Sequence, residues 1–508
     1  MAFYYDYNMT KTFKLLALAG LLISFVACSQ KTDKEKTDAT VSQQTIKDHV
    51  YYLASDEMRG RDVGSPEIQI AAQYLADKLS AYGAKPVKGA DGFFQPVPLR
   101  KTAPPQAASL KMGSDTYQSS VDMLLMDGTD GEFSADVVYV NYGNEADYEG
   151  LDVTGKIVFA QGGDGKSVSP QEWLQIGREK KKLAAAKGAV ALVEFYNNST
   201  RPFGNIVGFF GRPRITIDPD GFNGQNSEPI AHIWLKDPDN VKRALVGKGT
   251  VKKATISARG VTNQLLPSKN VVAMVEGTDP ELKKEFVMFS AHYDHVGVGR
   301  PVEGDSIYNG ARDNAIGTVT VLTAAENIGK YPMKRSALFV LYTAEEKGLL
   351  GSRYMANNPL IPNEDIVFCW NSDNGGYNDT SIATIVGLTR TTAQPMIEEA
   401  VATYGLKAIE DPTGAEQGLF DRSDNVNFAR KGIPAPTFSL GFTAFDAEIG
   451  KYYHQPRDEP ESVDYDYLYK FFRGYVLASR KIGNAPEAPF WVEGDKYYET
   501  GKKLYGKD

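Results

Sequence analysis

Three apolar runs fix what this chain can fold into: "EFVMFSAHYD" from Glu285, "SALFVLYTAEE" from Ser336 and "IVFCWNSDNGG" from Ile366. Each is a stretch rich in β-branched and aromatic residues, and each ends on ionisable side chains. Unbroken apolar runs of this length read as strands buried on both faces. "SKNVVAMVEG" precedes them as a fourth strand, and "NAIGTVTVLTAAENIGK" between the first two is helical. Strands alternating with helices predict an α/β fold: a mixed, mostly parallel central sheet flanked by helices. Ligands in such sheets sit beyond the carboxyl ends of the strands, which is where the polar clusters fall.

The chain has 508 residues, 42% of them hydrophobic, which favours more than one structural unit. A net charge of -8 argues against nucleic acid as a partner and against anionic lipid as a general one. The stretch "MTKTFKLLALAGLLISFVACSQ", beginning at Met9, has Lys11 and Lys14 before an apolar run from Leu15 to Ala27. That run is too short to cross a bilayer as a helix and fits the apolar centre of an export signal. It stops at Ala27-Cys28, similar to the lipid-attachment site of bacterial lipoproteins. Residues 1–28 are therefore expected to be a lipoprotein signal peptide, with Cys28 lipidated and the protein held at the outer membrane by that anchor alone. Polar residues 29–44 read as a flexible tether.

Residues 45–104 open the folded part with helices in "TIKDHVYYLAS" and "SPEIQIAAQYLADKLSAYG", where Ser65 can cap and Pro66 suits the first helical position. Residues 105–260 change character, with short strands around "ADVVYVNYG" and "GKIVFAQGG", and are expected to form an inserted, mainly β domain. "DVTGKIVFAQ" and "KKLAAAKGAVALVEF" within it are similar to the protease-associated domain. His232 in this stretch reads as a structural histidine. The strand-helix pattern resumes over 261–484, and a tail of 485–508 carries a short amphipathic helix.

The chain has only five histidines, and "AHYDH" holds two of them, His292 and His295, with Asp294 between. In an extended segment His292 and Asp294 share a face, as a metal ligand and its orienting carboxylate do. Asp313 in "YNGARDNAIG" stands before a helix, either as a cap or as a cation donor. Glu345 and Glu346 are adjacent carboxylates leaving an apolar strand, either solvated or offset by a cation. Asp373 follows another strand, and His454 follows Tyr452 and Tyr453. Taken together, His292, His454, Asp313, Glu346 and Asp373 suit a pair of borderline metal ions better than one.

Seven ordered segments, over residues 53–81 and 267–482, resemble the two-zinc exopeptidase family of bacterial aminopeptidases, glutamate carboxypeptidase and the transferrin receptor. They include "YLASDEMRGRDVGSPEIQIAAQYLADKL", "FVMFSAHYDHVGVG", "NGARDNAIG", "TAEEKGLLGS", "WNSDNGG" and "YYHQPRDEPESVD". The resemblance implies two zinc ions per chain: His292 and Asp373 on one, Glu346 and His454 on the other, Asp313 bridging through a residue whose following peptide bond is cis. It implies Glu345 as general acid and base and Asp294 as the residue that orients His292, and it leaves His295 without a metal role, either lining the pocket or standing behind the ligands. Tyr453 is the candidate donor to the oxyanion, and Asp424 and Phe420 are candidates for substrate contact. Arg312, Ile316, Asn374 and Asn425 depart from the family pattern without removing a ligand.

The implied activity is a zinc aminopeptidase that releases N-terminal residues from short peptides, with a zinc-activated water as nucleophile. A carboxypeptidase or dipeptidase, a single-zinc glutaminyl cyclase and a non-catalytic peptide-binding lipoprotein are the alternatives. Arg312, Arg422 and Arg457 are the arginines available to a terminal carboxylate.

Overall fold

The computed structural model describes residues 31–166, 170–218, 230–413 and 418–507, apart from the side chains at 170 and 171. Its first eight-stranded sheet consists of β1 (Phe94–Pro96), β2 (Lys269–Val275), β3 (Phe286–His292), β4 (Ser336–Tyr342), β5 (Ile366–Ser372), β6 (Ile382–Val386), β7 (Lys407–Glu410) and β8 (Thr437–Leu440). They lie in the order β1-β2-β4-β3-β5-β8-β6-β7. The centre is parallel, pairing β4 with β3, β3 with β5 and β5 with β8, and the flanking pairs are mostly antiparallel. The sheet is mixed, as the sequence predicts.

The central strands lack polar alternation because both faces are dry. Val287, Phe289 and Ala291 of β3 enter one apolar cluster, while Phe286 and Met288 enter the opposite one. The first face is covered by α3 (Pro66–Ala81), α4 (Gly317–Lys330) and α5 (Tyr465–Asn484) through residues such as Leu75, Leu322 and Phe471. Ser65 caps α3 by accepting from the Ile68 amide. Trp370 of β5 stacks on Tyr475 of α5 with ring centroids 5.4 Å apart. On the opposite face the C-terminal tail takes part: Trp491 is buried and donates to the Gly432 carbonyl, and α6 (Tyr498–Tyr505) follows it.

A second eight-stranded sheet is built from strands between Ala107 and Arg259, with helices Pro170–Ala186, Phe203–Phe210 and Val241–Gly247. Leu99–Ala103, Arg214–Ile217 and Thr262–Leu266 form a small sheet where the chain leaves and rejoins the first one. In the second sheet His232 faces the buried Glu194 carboxylate at 2.8 Å, beside Lys180 at 3.0 Å and the Trp234 indole N–H at 3.0 Å. This closed set of partners is structural.

The expectation of a flexible tether over 29–44 is corrected for its described part. α1 (Asp33–Asp38) opens with a capping box, in which Thr32 accepts from the Glu35 amide and Glu35 accepts from the Thr32 amide. Asp33 then pairs with buried Arg480 at 2.8 Å, Thr37 is fully buried, and α2 (Gln43–Leu53) begins within the expected tether. The segment is polar, but its polar groups have partners on the folded body. The expected signal peptide and Cys28 lie outside the described residues. Among the described residues no helix is long and apolar enough to cross a membrane.

Candidate functional site

Parallel register brings the ends of three strands to one edge. His292 of β3 pairs with Tyr342 of β4, and Ser290 pairs with Asn371 of β5. The chain leaves β4 through Ala344, in the left-handed region at φ 58°, so that Glu345 and Glu346 turn back over the edge. Fully buried Asp294 fixes that turn by accepting from the Glu345 amide at 3.0 Å and the Glu346 amide at 3.3 Å. Its expected partnership with His292 takes a different form. The Asp294 carbonyl is 3.1 Å from His292 Nδ1, and the carboxylate is 3.9 Å away because the two glutamate amides hold it.

Asp313 reaches the same edge from the loop before α4. Gly310 sits at φ +64°, and a Cβ there would lie 2.6 Å from the His295 ring, so the close approach admits only glycine. The Asp313–Asn314 peptide bond is cis. Asn314 donates to the Ser372 carbonyl at 3.0 Å and accepts from Asn374 at 3.0 Å, tying this loop to the end of β5. Buried Asp458 accepts from the amides of Arg312 (2.9 Å) and Asp313 (3.1 Å) and from Arg312 Nη1 (3.0 Å). Arg312, one of the departures from the family pattern, lies 3.7 Å over the Tyr452 ring and so braces the loop that carries His454.

Two groups of donors converge. His292 Nε2 lies 3.2 Å from Asp373 Oδ1 and 3.5 Å from Asp313 Oδ1. His454 Nε2 lies 3.1 Å from Asp313 Oδ2 and 3.2 Å from Glu346 Oε2, and His295 joins that group through Glu346 Oε1 at 2.8 Å. Asp313 thus turns one oxygen to each group. Ligand bonds of about 2.0–2.1 Å at tetrahedral angles place neighbouring donors roughly 3.3 Å apart, so edges of 3.1–3.5 Å fit a divalent cation in each group. Glu345 belongs to neither, its Oε2 standing 4.0 Å from His292 Nε2.

The electrostatics favour a cation. Burial raises the Glu345 pKa well above its usual value, His292 opposes this, and Asp373 and Asp424 add to it. Burial also raises Asp313, with Glu346 adding to the effect, and raises Asp294 to about 6. Burial alone would lower His292, yet the surrounding carboxylates of Glu345, Asp373 and Asp313 hold it well above the ordinary value. Burial likewise opposes the rise of His454 to about 10, which its hydrogen bonds to the accepting Asp313 and Glu346 carboxylates impose. Fully buried Arg61 adds a positive charge behind the site and donates to the carbonyls of Tyr293, Asn309, Gly310 and Leu53.

The cleft in front of these groups is lined by Gly375, Val386, Leu419, Phe442 and Phe445, with Tyr453 stacked on His454. Two expected substrate contacts lie elsewhere. Phe420 is in the core beneath Arg390, packed near Trp491 and Tyr497, and its neighbour Leu419 lines the cleft instead. Asp424 is buried behind the edge, where burial pushes its pKa up to about 7. Of the three arginines, Arg312 is taken by Asp458 and Arg457 by Glu303, while Arg422 lines the cleft. His295, expected to line the pocket or to stand behind the ligands, is fully buried within the cluster. The spacing that put His292 and Asp294 on one face carried no information about the turn that brings His295 back.

A clustered imidazole–carboxylate centre thus lies at the carboxyl edge of the parallel-centred sheet. Residues 270–477 match the family model described as Peptidase family M28. Aminopeptidase YwaD of Bacillus subtilis is 25% identical over 293 residues, covering 57% of this chain and 56% of that protein. Aminopeptidase Y of Saccharomyces cerevisiae is 25% identical over 313 residues, covering 54% and 52%. The chain thus spans a little over half the length of these curated relatives. Among solved structures, an aminopeptidase from Aneurinibacillus sp. strain AM-1 aligns at a TM-score of 0.46 and 21% identity, over 89% of this chain and 97% of that one.

Proposed function

We propose that this protein is a zinc-dependent aminopeptidase that releases N-terminal residues from short peptides. The observation that carries the reading is Asp313, whose two oxygens face separate imidazole-bearing donor sets while Glu345 stands free beside them. His292, Asp313 and Asp373 would hold one zinc ion, and Asp313, Glu346 and His454 the other. The relatives named as aminopeptidases support the substrate class. Bound zinc supplies Lewis acidity, acidifying water and polarising a carbonyl.

The side chains do the rest. Glu345, with its pKa raised by burial, accepts the proton of the attacking water and returns it to the leaving amine. Asp294 holds the Glu345 backbone so that the carboxylate stays over the cleft. Tyr453 lines the same cleft, and its hydroxyl is the donor to the developing oxyanion. Leu419, Val386 and Phe442 receive the side chain of the terminal residue.

A panel of aminoacyl nitroanilides and dipeptides, with and without chelator, tests this. Chelator-sensitive cleavage that N-acetylation abolishes is expected. Cleavage of acetylated peptides from the carboxyl end would refute the aminopeptidase reading, and no cleavage by the zinc-loaded protein would refute the enzyme. We also propose that residues 105–260 are a protease-associated domain that restricts the cleft to short peptides. Equal kcat/KM for dipeptides and long peptides in the same panel would refute that. The anchor is proposed on the Ala27-Cys28 junction after the apolar run. Fatty-acid labelling that survives Cys28→Ser would refute it.

A further inference from the structure

Three imidazoles reach the site, and the proposed function uses two. The third, His295, is fully buried, with its ring edge-on to His454 at 5.5 Å between centroids. Distance separates the roles of these two histidines. His454 Nε2 is 3.1 and 3.2 Å from Asp313 Oδ2 and Glu346 Oε2, the spacing of donors that share a cation. His295 Nδ1 is 2.8 Å from Glu346 Oε1, the spacing of an N–H donating to a carboxylate, and 4.0 Å from Asp313. The oxygens of Glu346 are therefore divided, Oε2 toward His454 and Asp313 and Oε1 toward His295. His295 Nε2 is buried with no hydrogen-bond partner, which suits the nitrogen that carries no proton.

We propose that His295 is a positioning residue whose Nδ1–H holds Glu346 Oε1. Glu346 would then offer a single oxygen to a zinc ion held with Asp313 and His454, leaving a coordination position open. The inference rests on the zinc reading above. The choice matters chemically: were His295 itself a ligand, His295, Asp313, Glu346 and His454 would complete a tetrahedral shell, the closed arrangement of a structural zinc. An open position is what hydrolysis requires. The ring has no room to change roles, because Gly310 lies directly against it.

Histidine-selective ¹⁵N NMR of the zinc-loaded wild-type protein tests this, with the five histidines assigned by substitution. Nδ1 of His295 is expected to carry a proton and Nε2 none. A zinc-loaded protein with His295 Nδ1 bare would overturn the inference, whereas a wild-type chain that binds no zinc would overturn the reading beneath it. In zinc titrations His295→Ala is expected to weaken one of two binding events about 10–100-fold, and His295→Asn, which places an amide N–H near the same point, to restore most of the loss. Unchanged affinity in His295→Ala, or no rescue by Asn, would overturn it as well.

Discussion

Replacing Asp458 with alanine tests whether the shared aspartate is held in place through its own backbone. Asp458 is 1% exposed and accepts from two consecutive amides, Arg312 and Asp313, as well as from the Arg312 guanidinium. Among the described residues no other carboxylate pairs with Arg312. Removing one partner of a buried ion pair costs about 3–5 kcal/mol, and each stranded buried amide costs about 1–3 kcal/mol. Arg312 keeps the Ser462 hydroxyl at 2.7 Å, the Ser462 carbonyl at 2.8 Å and the Tyr452 ring, so the low end of the sum applies. The expected loss is about 5 kcal/mol, a large share of the roughly 5–15 kcal/mol that stabilises a typical protein. Denaturant unfolding measures the total, and hydrogen exchange on peptides covering residues 309–317 locates it. Asp458→Asn keeps one acceptor but turns an NH₂ group toward a second donor, and should fall between wild type and alanine. An Asp458→Ala protein with the wild-type midpoint and undiminished protection over 309–317 would refute the reasoning.

Glu345→Gln is expected to lower kcat by about 10²–10⁴ while leaving zinc content unchanged, because Glu345 belongs to neither donor set; wild-type turnover would contradict its role as base. In α2, His49 lies buried between the Tyr74 and Tyr82 hydroxyls, and burial, aided by Lys78, pushes its pKa from 6.5 down to about 4. The fold favours the neutral ring, so this stability is complete above pH 6.5 and is lost as pH falls toward 4. It amounts to about 3 kcal/mol, and His49→Gln should flatten the difference between unfolding at pH 7.5 and pH 4.5; an unchanged difference would show that His49 is not its source.

The central strands were legible because burial on both faces removes polar residues from them, and their carboxyl ends followed from the parallel register. The convergence of His292, Asp313, Glu346, Asp373 and His454 was legible through motifs in chain order. What the sequence hid depends on turns. His295 follows Asp294 directly, and only the path of the chain after β3 sets it against Glu346. The carboxylate of Asp294 serves the glutamate amides because the turn at Ala344 brings them within reach, which no local spacing encodes. Phe420 and Leu419 are adjacent, and the short helix Leu419–Arg422 alone decides which of them faces the cleft. Arg312 and Asp458 are far apart in sequence, so their pairing was invisible, although a buried arginine beside a shared aspartate requires a carboxylate partner. The capping box at Thr32 and Glu35 is a Thr-x-x-Glu pattern that a reading by polar composition alone passes over.

That last correction changes the geometry of the proposed anchor. A tether of residues 29–44 would let the body float well away from a bilayer, whereas the body begins at Asp33. From Cys28 to Asp33 the chain spans at most about 18 Å. Asp33 is bound by Arg480 and by Asn484 near the end of α5, and the Lys36 carbonyl accepts from Asn327 near the end of α4. α4 begins at Gly317, against Asn314 and the end of β5, so Asn327 lies about 15 Å along the helix from the site. Asp33 is therefore held at the end of α4 away from the site. Inserting sixteen Gly and Ser residues after Ser29 lengthens the link without touching the body. Protease added to membranes should release the lengthened protein readily and the wild type slowly, with peptide cleavage equal in both. Equal release rates would refute the short link.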